Sequence, residues 1–234
     1  MIVRNVSEAT QLPKQTKKEA RFLTAEEECK FLSILGRDRL GPTILTLLWT
    51  GLRRGELLGL TWRDVDLENN TLRVRENLVR TRSGLKRQKP KSETSQRVVP
   101  LPRLVAEILR RHKERMEQEG NYRPDGPVFC TSKGTEIHPR NLNRKFEQLR
   151  KRAGLEGVSP HILRHTFATR LLELGQDLKV VQELLGHSQI SVTADTYAHV
   201  TNRLKRQAAD KLDEYFSSGT NWAQKWGSDG VPEP

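Results

Sequence analysis

The 234-residue chain is 35% hydrophobic and 30% charged, a composition that suits one globular domain with flanking tails. Lys and Arg total 41 against 29 acidic residues, and the net charge of +12 points to a polyanion partner, DNA or RNA first. The most apolar run, 43–52, is far too short to span a bilayer, and no charged-then-apolar leader opens the chain. The two cysteines, Cys29 and Cys130, form no metal-type pair, so the expectation is a soluble cytoplasmic protein in a reducing compartment, with no membrane partner.

Residues 1–21 are polar and basic, carry Pro13 and have little periodicity, so they read as a linker. Thr24 and Glu27 have the spacing of a capping box for a first helix with Phe31, Leu32 and Leu35 as its apolar residues. Pro42 starts a second helix whose Ile44, Leu45, Leu47, Leu48 and Trp49 belong in a core, and Gly51 breaks it. Arg53 and Glu56, three apart, are compatible with an ordinary surface ion pair. Val65 and Leu67, then Leu72 and Val74, alternate about an Asn-Asn turn and predict a hairpin. The basic run Arg80, Arg82, Lys86, Arg87, Lys89 and Lys91 reads by itself as a charged loop, and 97–101 as a third strand. The next predicted helix, 103–118, turns Leu104, Ile108 and Leu109 inward. After a loop at 120–127 and a short buried piece at 128–130, a helix over 140–152 buries Leu142, Phe146 and Leu149 and exposes Arg144, Lys145, Arg150, Lys151 and Arg152.

The most informative stretch is 159–200. Pro160 suits the first turn of a helix. From there Leu163, Phe167, Leu171 and Leu174 make one apolar face, while His161, Arg164, His165 and Ala168 share another. Gly175 ends this helix. Asp177 caps the next, with Val180, Val181, Leu184 and Leu185 as its stripe and Gly186 as its stop. His187 sits in the turn that follows, and Ser188 or Ser191 caps a third helix carrying Tyr197. A phosphate suits such a group of imidazoles, phenol and guanidinium. A metal does not, because Arg164 stands beside His161 and no acid or cysteine has matching spacing for His161 and His165.

The motif H-x-L-R-H-T-F-A-T at 161–169, then L-L-G-H-S at 184–188, then a tyrosine ten residues after His187, resembles the tyrosine recombinase (phage integrase) family. The resemblance covers residues 1–216. It implies an α+β fold, mainly α-helical with a small antiparallel sheet at one edge, as in tyrosine recombinase catalytic domains. Residues 22–216 are then the catalytic domain, and 1–21 the linker from an amino-terminal DNA-clamping domain that this chain lacks. Residues 217–234, rich in Gly, Ser and Pro, are a disordered tail. T-G-L-R at 50–53 is similar to the family's first arginine motif, which makes Arg53 a catalytic residue and Glu56 its orienting partner. P-K-S-E-T-S-Q-R-V-V-P-L at 90–101 is similar to the β-hairpin that carries the family's lysine, which falls at Lys91, with Lys89 as the alternative.

By that resemblance the function is site-specific recombination of double-stranded DNA. Tyr197 is the nucleophile, and forming its anion at pH 7 costs about 4 kcal/mol unassisted. His161 is the general base, with His165 behind it. Arg53, Arg164 and His187 hold the phosphate oxygens, and Lys91 protonates the departing 5′ oxygen. The product is a 3′-phosphotyrosyl link, formed without metal or nucleotide cofactor. A last amphipathic helix with Leu204, Ala208, Leu212 and Phe216 on one line is expected to pack on a neighbouring protomer in a tetramer assembled on DNA. Two other readings share parts of the pattern: a helix-turn-helix regulator built on 177–199, which leaves Arg53 and Lys91 without a purpose, and a type IB topoisomerase-like relaxase with the same tyrosine chemistry.

Overall fold

The computed structural model describes residues 21–36, 38–89, 96–189, 191, 193–194, 197, 205–206 and 208–215. The expected linker 1–21 (apart from Arg21), the tail 217–234 and Lys91 lie outside them.

Helix α1 (Ala25–Leu35) begins at a complete capping box: Glu27 N donates to Thr24 Oγ1, and Thr24 N donates to the Glu27 carboxylate. Helix α2 (Gly41–Thr50) is apolar almost all round and is accordingly buried almost all round. Two of its threonines bond back along the helix, Thr46 to Pro42 O and Thr50 to Thr46 O. Around it pack α1, α4 (Arg103–Gln118) and α6 (Pro160–Glu173), and α5 (Pro139–Arg152) closes over α1 through an edge-to-face contact of Phe31 with Phe146 at 5.5 Å. Helix α2 ends at Gly51 in the left-handed conformation, φ 63°, and the short helix α3 (Arg54–Gly59) follows immediately.

The strands stand at one side. β1 (Val65–Asp66), β2 (Thr71–Val74) and β5 (Arg97–Pro100) form an antiparallel sheet in the order β1-β2-β5, with Leu72 opposite Val65 and Val99. The Asn-Asn turn is as expected, with Asn70 at φ 50°. Of the basic run, Arg80, Lys86 and Arg87 lie in strands and Arg82 in the turn that joins them. β3 (Asn77–Thr81) and β4 (Gly84–Gln88) form a separate hairpin lying against α3, so the expected single sheet is two.

Three helix faces are turned from where apolar spacing put them. Leu104 is exposed on α4, whose buried side is Val105, Ala106, Leu109, His112 and Met116. Leu174 is 75% exposed beyond the end of α6, and Val180 is exposed on α7 (Leu178–Leu185). In α6 the inward face instead carries Arg164, Thr166, Ala168 and Thr169 beside Leu163 and Leu172. Thr166 is satisfied there, since its Oγ1 accepts from Leu23 N and donates to Ile162 O, whereas the buried Thr169 hydroxyl finds no partner among the described residues. Ser191, Thr193 and Ala194 are helical, and Tyr197 is a bend residue whose N–H reaches Thr193 O, four residues back, at 3.1 Å.

Candidate active site

The site is organised by the carboxyl end of α7. A helix leaves its last carbonyls without intrahelical donors and presents a partial negative charge there. Here three successive carbonyls each receive a different arginine. Arg97 Nε donates to Leu184 O at 2.7 Å, Arg164 Nη2 to Leu185 O at 2.6 Å and Arg53 Nη2 to Gly186 O at 3.2 Å. Arg164, 2% exposed, also donates from Nη1 to Gly51 O at 2.6 Å, so the left-handed turn after α2 and the end of α7 hold one guanidinium between them. Burial first, then the charge of Arg53, pulls Arg164 down to about 9, which still leaves it protonated at neutral pH.

Glu56 is 1% exposed and accepts from Arg53 N, Arg53 Nη1 and the Arg97 guanidinium. Burial opposes its charge, but the Arg97 and Arg53 contacts outweigh it and hold the carboxyl below its ordinary range. Glu56, the orienting partner that the resemblance implies for Arg53, is in contact with it. Arg97 was read only as the start of a strand. Its signal was available: β5 alternates, and Arg97 falls on the same face as buried Val99.

Arg53 and Arg164 open onto a cleft of about 440 Å³, lined also by Arg54, Asn143, Ser159 and His161. His161 is edge-on to His165, ring centroids 4.6 Å apart. The histidine touching Tyr197 is His165: its Nδ1 lies 3.0 Å from the phenolic oxygen, which donates when the imidazole proton is on Nε2. His161, the general base that the resemblance implies, does not itself meet the phenol but stands edge-on to the imidazole that does. The reason is helical phase: His165 is one turn further along α6, level with Ala168, Leu172, Val181 and Leu185, the small apolar cluster into which Tyr197 packs. Burial, then the neighbouring His161 and Arg164, pulls His165 down to about 4, so it is neutral at pH 7. Burial also lowers His161. Tyr197 is 1% exposed, and burial pushes its phenol up against the opposing charge of Arg164.

His187 follows Gly186 directly. Its Nδ1 is 2.8 Å from Thr193 Oγ1, and its carbonyl accepts from Gln182 Nε2 at 2.9 Å. Burial and the charges of Arg164 and Arg53 take it down to about 4. Lys89 follows β4 and lines a different cavity, with Thr61, Asp64 and Arg75. Among the described residues no group of three or more His, Cys, Asp or Glu could hold a metal, and no helix is long and apolar enough to cross a membrane.

The site thus sets a buried phenol on a neutral imidazole beside two arginines that open onto one cleft. Residues 21–203 match the model of the phage integrase family, and the chain belongs to that family. It is 37% identical over 215 residues to a tyrosine recombinase XerC-like protein of Caldanaerobacter subterraneus subsp. tengcongensis, covering 85% of this chain and 55% of that protein. It is 35% identical over 206 residues to tyrosine recombinase XerA of Thermococcus kodakarensis, covering 85% and 65%. The fold matches the Tn1549 transposon integrase in complex with transposon right end DNA at TM-score 0.73, with 29% identity over 90% of this chain and 71% of that one. It also matches a XerA recombinase crystal structure at 0.65, with 25% identity over 82% and 66%. The fold is that of the tyrosine recombinase catalytic domain, and the chain spans roughly half to two thirds of the length of these curated relatives.

Proposed function

We propose that residues 22–216 are the catalytic domain of a site-specific DNA recombinase that breaks and rejoins double-stranded DNA through a 3′-phosphotyrosyl intermediate. One observation carries this reading: Tyr197 and His165 meet at 3.0 Å beside Arg164, whose cleft neighbour Arg53 comes from the other half of the chain. A helix-turn-helix regulator has no use for that convergence. The relatives bearing recombinase names, and the transposon integrase bound to DNA, support the same reading.

In the proposed reaction the scissile phosphate enters the cleft and takes hydrogen bonds from Arg53, Arg164 and His187. Guanidinium forks match phosphate oxygens, and charge grows on those oxygens in the transition state, so loss of one donor lowers the rate about 100- to 1000-fold. The phenolic proton passes to the imidazole pair, His165 being the first acceptor and His161 its neighbour in the cleft. Tyr197 attacks phosphorus, and the 5′ oxygen leaves with a proton from Lys91, the role its motif implies. Because Tyr197 is 1% exposed, attack requires DNA to draw the phenol out of its apolar cluster. A 5′-hydroxyl of a second duplex reverses the step. None of these roles calls for a metal or a nucleotide.

DNA lies along the cleft and the exposed basic residues of α5, Arg140, Arg144, Lys151 and Arg152, through phosphate contacts. A reaction on DNA puts the work in the cytoplasm. Helical residues 208–215 expose Leu212, which supports the reading that this helix packs on a neighbouring protomer of a DNA-bound tetramer; Leu204 and Phe216 lie outside the described residues. The test is incubation with a pool of nicked duplexes and a denaturing gel. A covalent protein–DNA band is expected from the wild type and none from Tyr197→Phe, with equal DNA affinity. DNA binding without any covalent band contradicts the proposal.

A further inference from the structure

We propose that Arg97 is a positioning residue of this site: it fixes Glu56 and the last turn of α7, and through them keeps Arg53, Arg164 and His187 in register. The inference rests on the phosphoryl-transfer reading above and adds a residue to it.

The Arg97 side chain is 8% exposed and that of Glu56 is fully buried, whereas Arg53, the other partner of Glu56, is 39% exposed. The two guanidiniums therefore have different duties. Arg53 faces the cleft and must be able to turn its donors to a phosphate. If it were the only countercharge of Glu56, each phosphate contact would be made in competition with a buried carboxylate. Arg97 removes that competition. Nη2 and Nη1 reach the two carboxylate oxygens at 3.0 and 3.3 Å, so the Glu56 charge is balanced from the protein side. The positive charges of Arg53 and Arg164 are then left for the phosphate.

The same side chain holds the backbone that carries His187. Nε donates to Leu184 O at 2.7 Å, one carbonyl before the one held by Arg164 and two before the one held by Arg53. Its guanidinium lies so close to Gly186 that a Cβ there would stand 2.7 Å from Nη1. Arg97 thus ties β5 to α7 and to the start of α3 in one contact set. Lys91 precedes Arg97 by six residues, so the same anchor fixes the strand into which the lysine segment runs.

The experiment is single-turnover adduct formation at saturating DNA from pH 5.5 to 8.5, on wild type, Arg97→Met, Arg97→Lys, Glu56→Gln and the Arg97→Met/Glu56→Gln double variant. Arg97→Met should slow the adduct step about 10- to 100-fold, the scale of a lost charged hydrogen bond, with DNA half-saturation moved less than about 3-fold. It should also introduce a loss of rate on the acid side, because Glu56 has lost its largest countercharge and protonates at higher pH. Arg97→Lys should remove that acid limb while recovering only part of the rate, since one ammonium cannot span Leu184 O and both carboxylate oxygens. The double variant should be no slower than Arg97→Met alone. A folded Arg97→Met with wild-type rate and pH profile overturns the proposal, as does strictly additive loss in the double variant. If Arg97→Met does not fold, Arg97→Lys decides, and a wild-type rate there overturns it. A wild type that forms no adduct strikes the recombinase reading itself, an outcome distinct from an active wild type with an equally active Arg97→Met.

Discussion

Gly51 is the position where fold and site are most tightly joined, and Gly51→Ala tests the join. The residue sits at φ 63°, and its carbonyl accepts from Arg164 Nη1 at 2.6 Å. A left-handed alanine costs about 1–2 kcal/mol by itself. The added Cβ would stand 2.4 Å from Phe167 Cδ1, 2.9 Å from Cε1 and 3.1 Å from Leu185 Cδ2, so the ring on α6 or the end of α7 has to move. Overpacking of this kind adds about 1–3 kcal/mol. The sum is about 2–5 kcal/mol, which at about 2–4 °C per kcal/mol for a domain of this size lowers Tm by roughly 4–20 °C. Because the carbonyl that moves is the one holding Arg164, adduct formation should fall with it, by about 10-fold or more even at temperatures where the variant is folded. Differential scanning fluorimetry gives the first quantity and single-turnover cleavage the second. A Tm within about 2 °C of wild type, below the smallest expected shift, refutes the close packing of Gly51 against Phe167.

Stability should depend on pH through the buried histidines. His112, held to Val128 O at 2.7 Å, and His165 and His187 are each depressed to about 4 from an ordinary 6.5. The unfolded chain binds more protons between those values, so stability is full above about 6.5 and falls as pH drops towards 4; a Tm flat from pH 7 to 4.5 contradicts their burial. Cleavage should survive excess chelator, whereas activity lost to chelator and restored by a divalent ion points to a metal nuclease. Removing residues 202–234 should leave adduct formation within about 3-fold of wild type and abolish multimers on DNA, read by crosslinking. Unfolding of the truncated chain, or normal assembly on DNA, shows instead that the last helix serves its own domain.

Local rules were legible wherever partners lie close in sequence. The Thr24–Glu27 box, the Asn-Asn hairpin, the Asp177 cap and the glycine stops at Gly51 and Gly186 all appear as expected. The faces of α4, α6 and α7 were less legible, because spacing ranks apolar residues and cannot anticipate which polar ones the fold buries. Arg164, Thr166, Thr169 and Gln182 take inward positions, and Leu104, Leu174 and Val180 are left outside. Arg53, Glu56, Arg164, His165, His187 and Tyr197 were all singled out by motif, but which imidazole meets the phenol depends on helical phase and on the bend at Tyr197. Arg97 was missed because its partners Glu56 and Leu184 lie 41 and 87 residues away.

The central claim is that Tyr197 carries the covalent link to DNA. Trapping the adduct on nicked duplexes, digesting it with nuclease and trypsin, and sequencing the modified peptide by mass spectrometry tests this most directly. The tryptic peptide 180–203 contains Tyr197 as its one tyrosine. The account predicts a 3′-linked nucleotide on the phenolic oxygen of that residue. A nucleotide on any other side chain, or cleaved DNA with no nucleotide attached to protein, contradicts it.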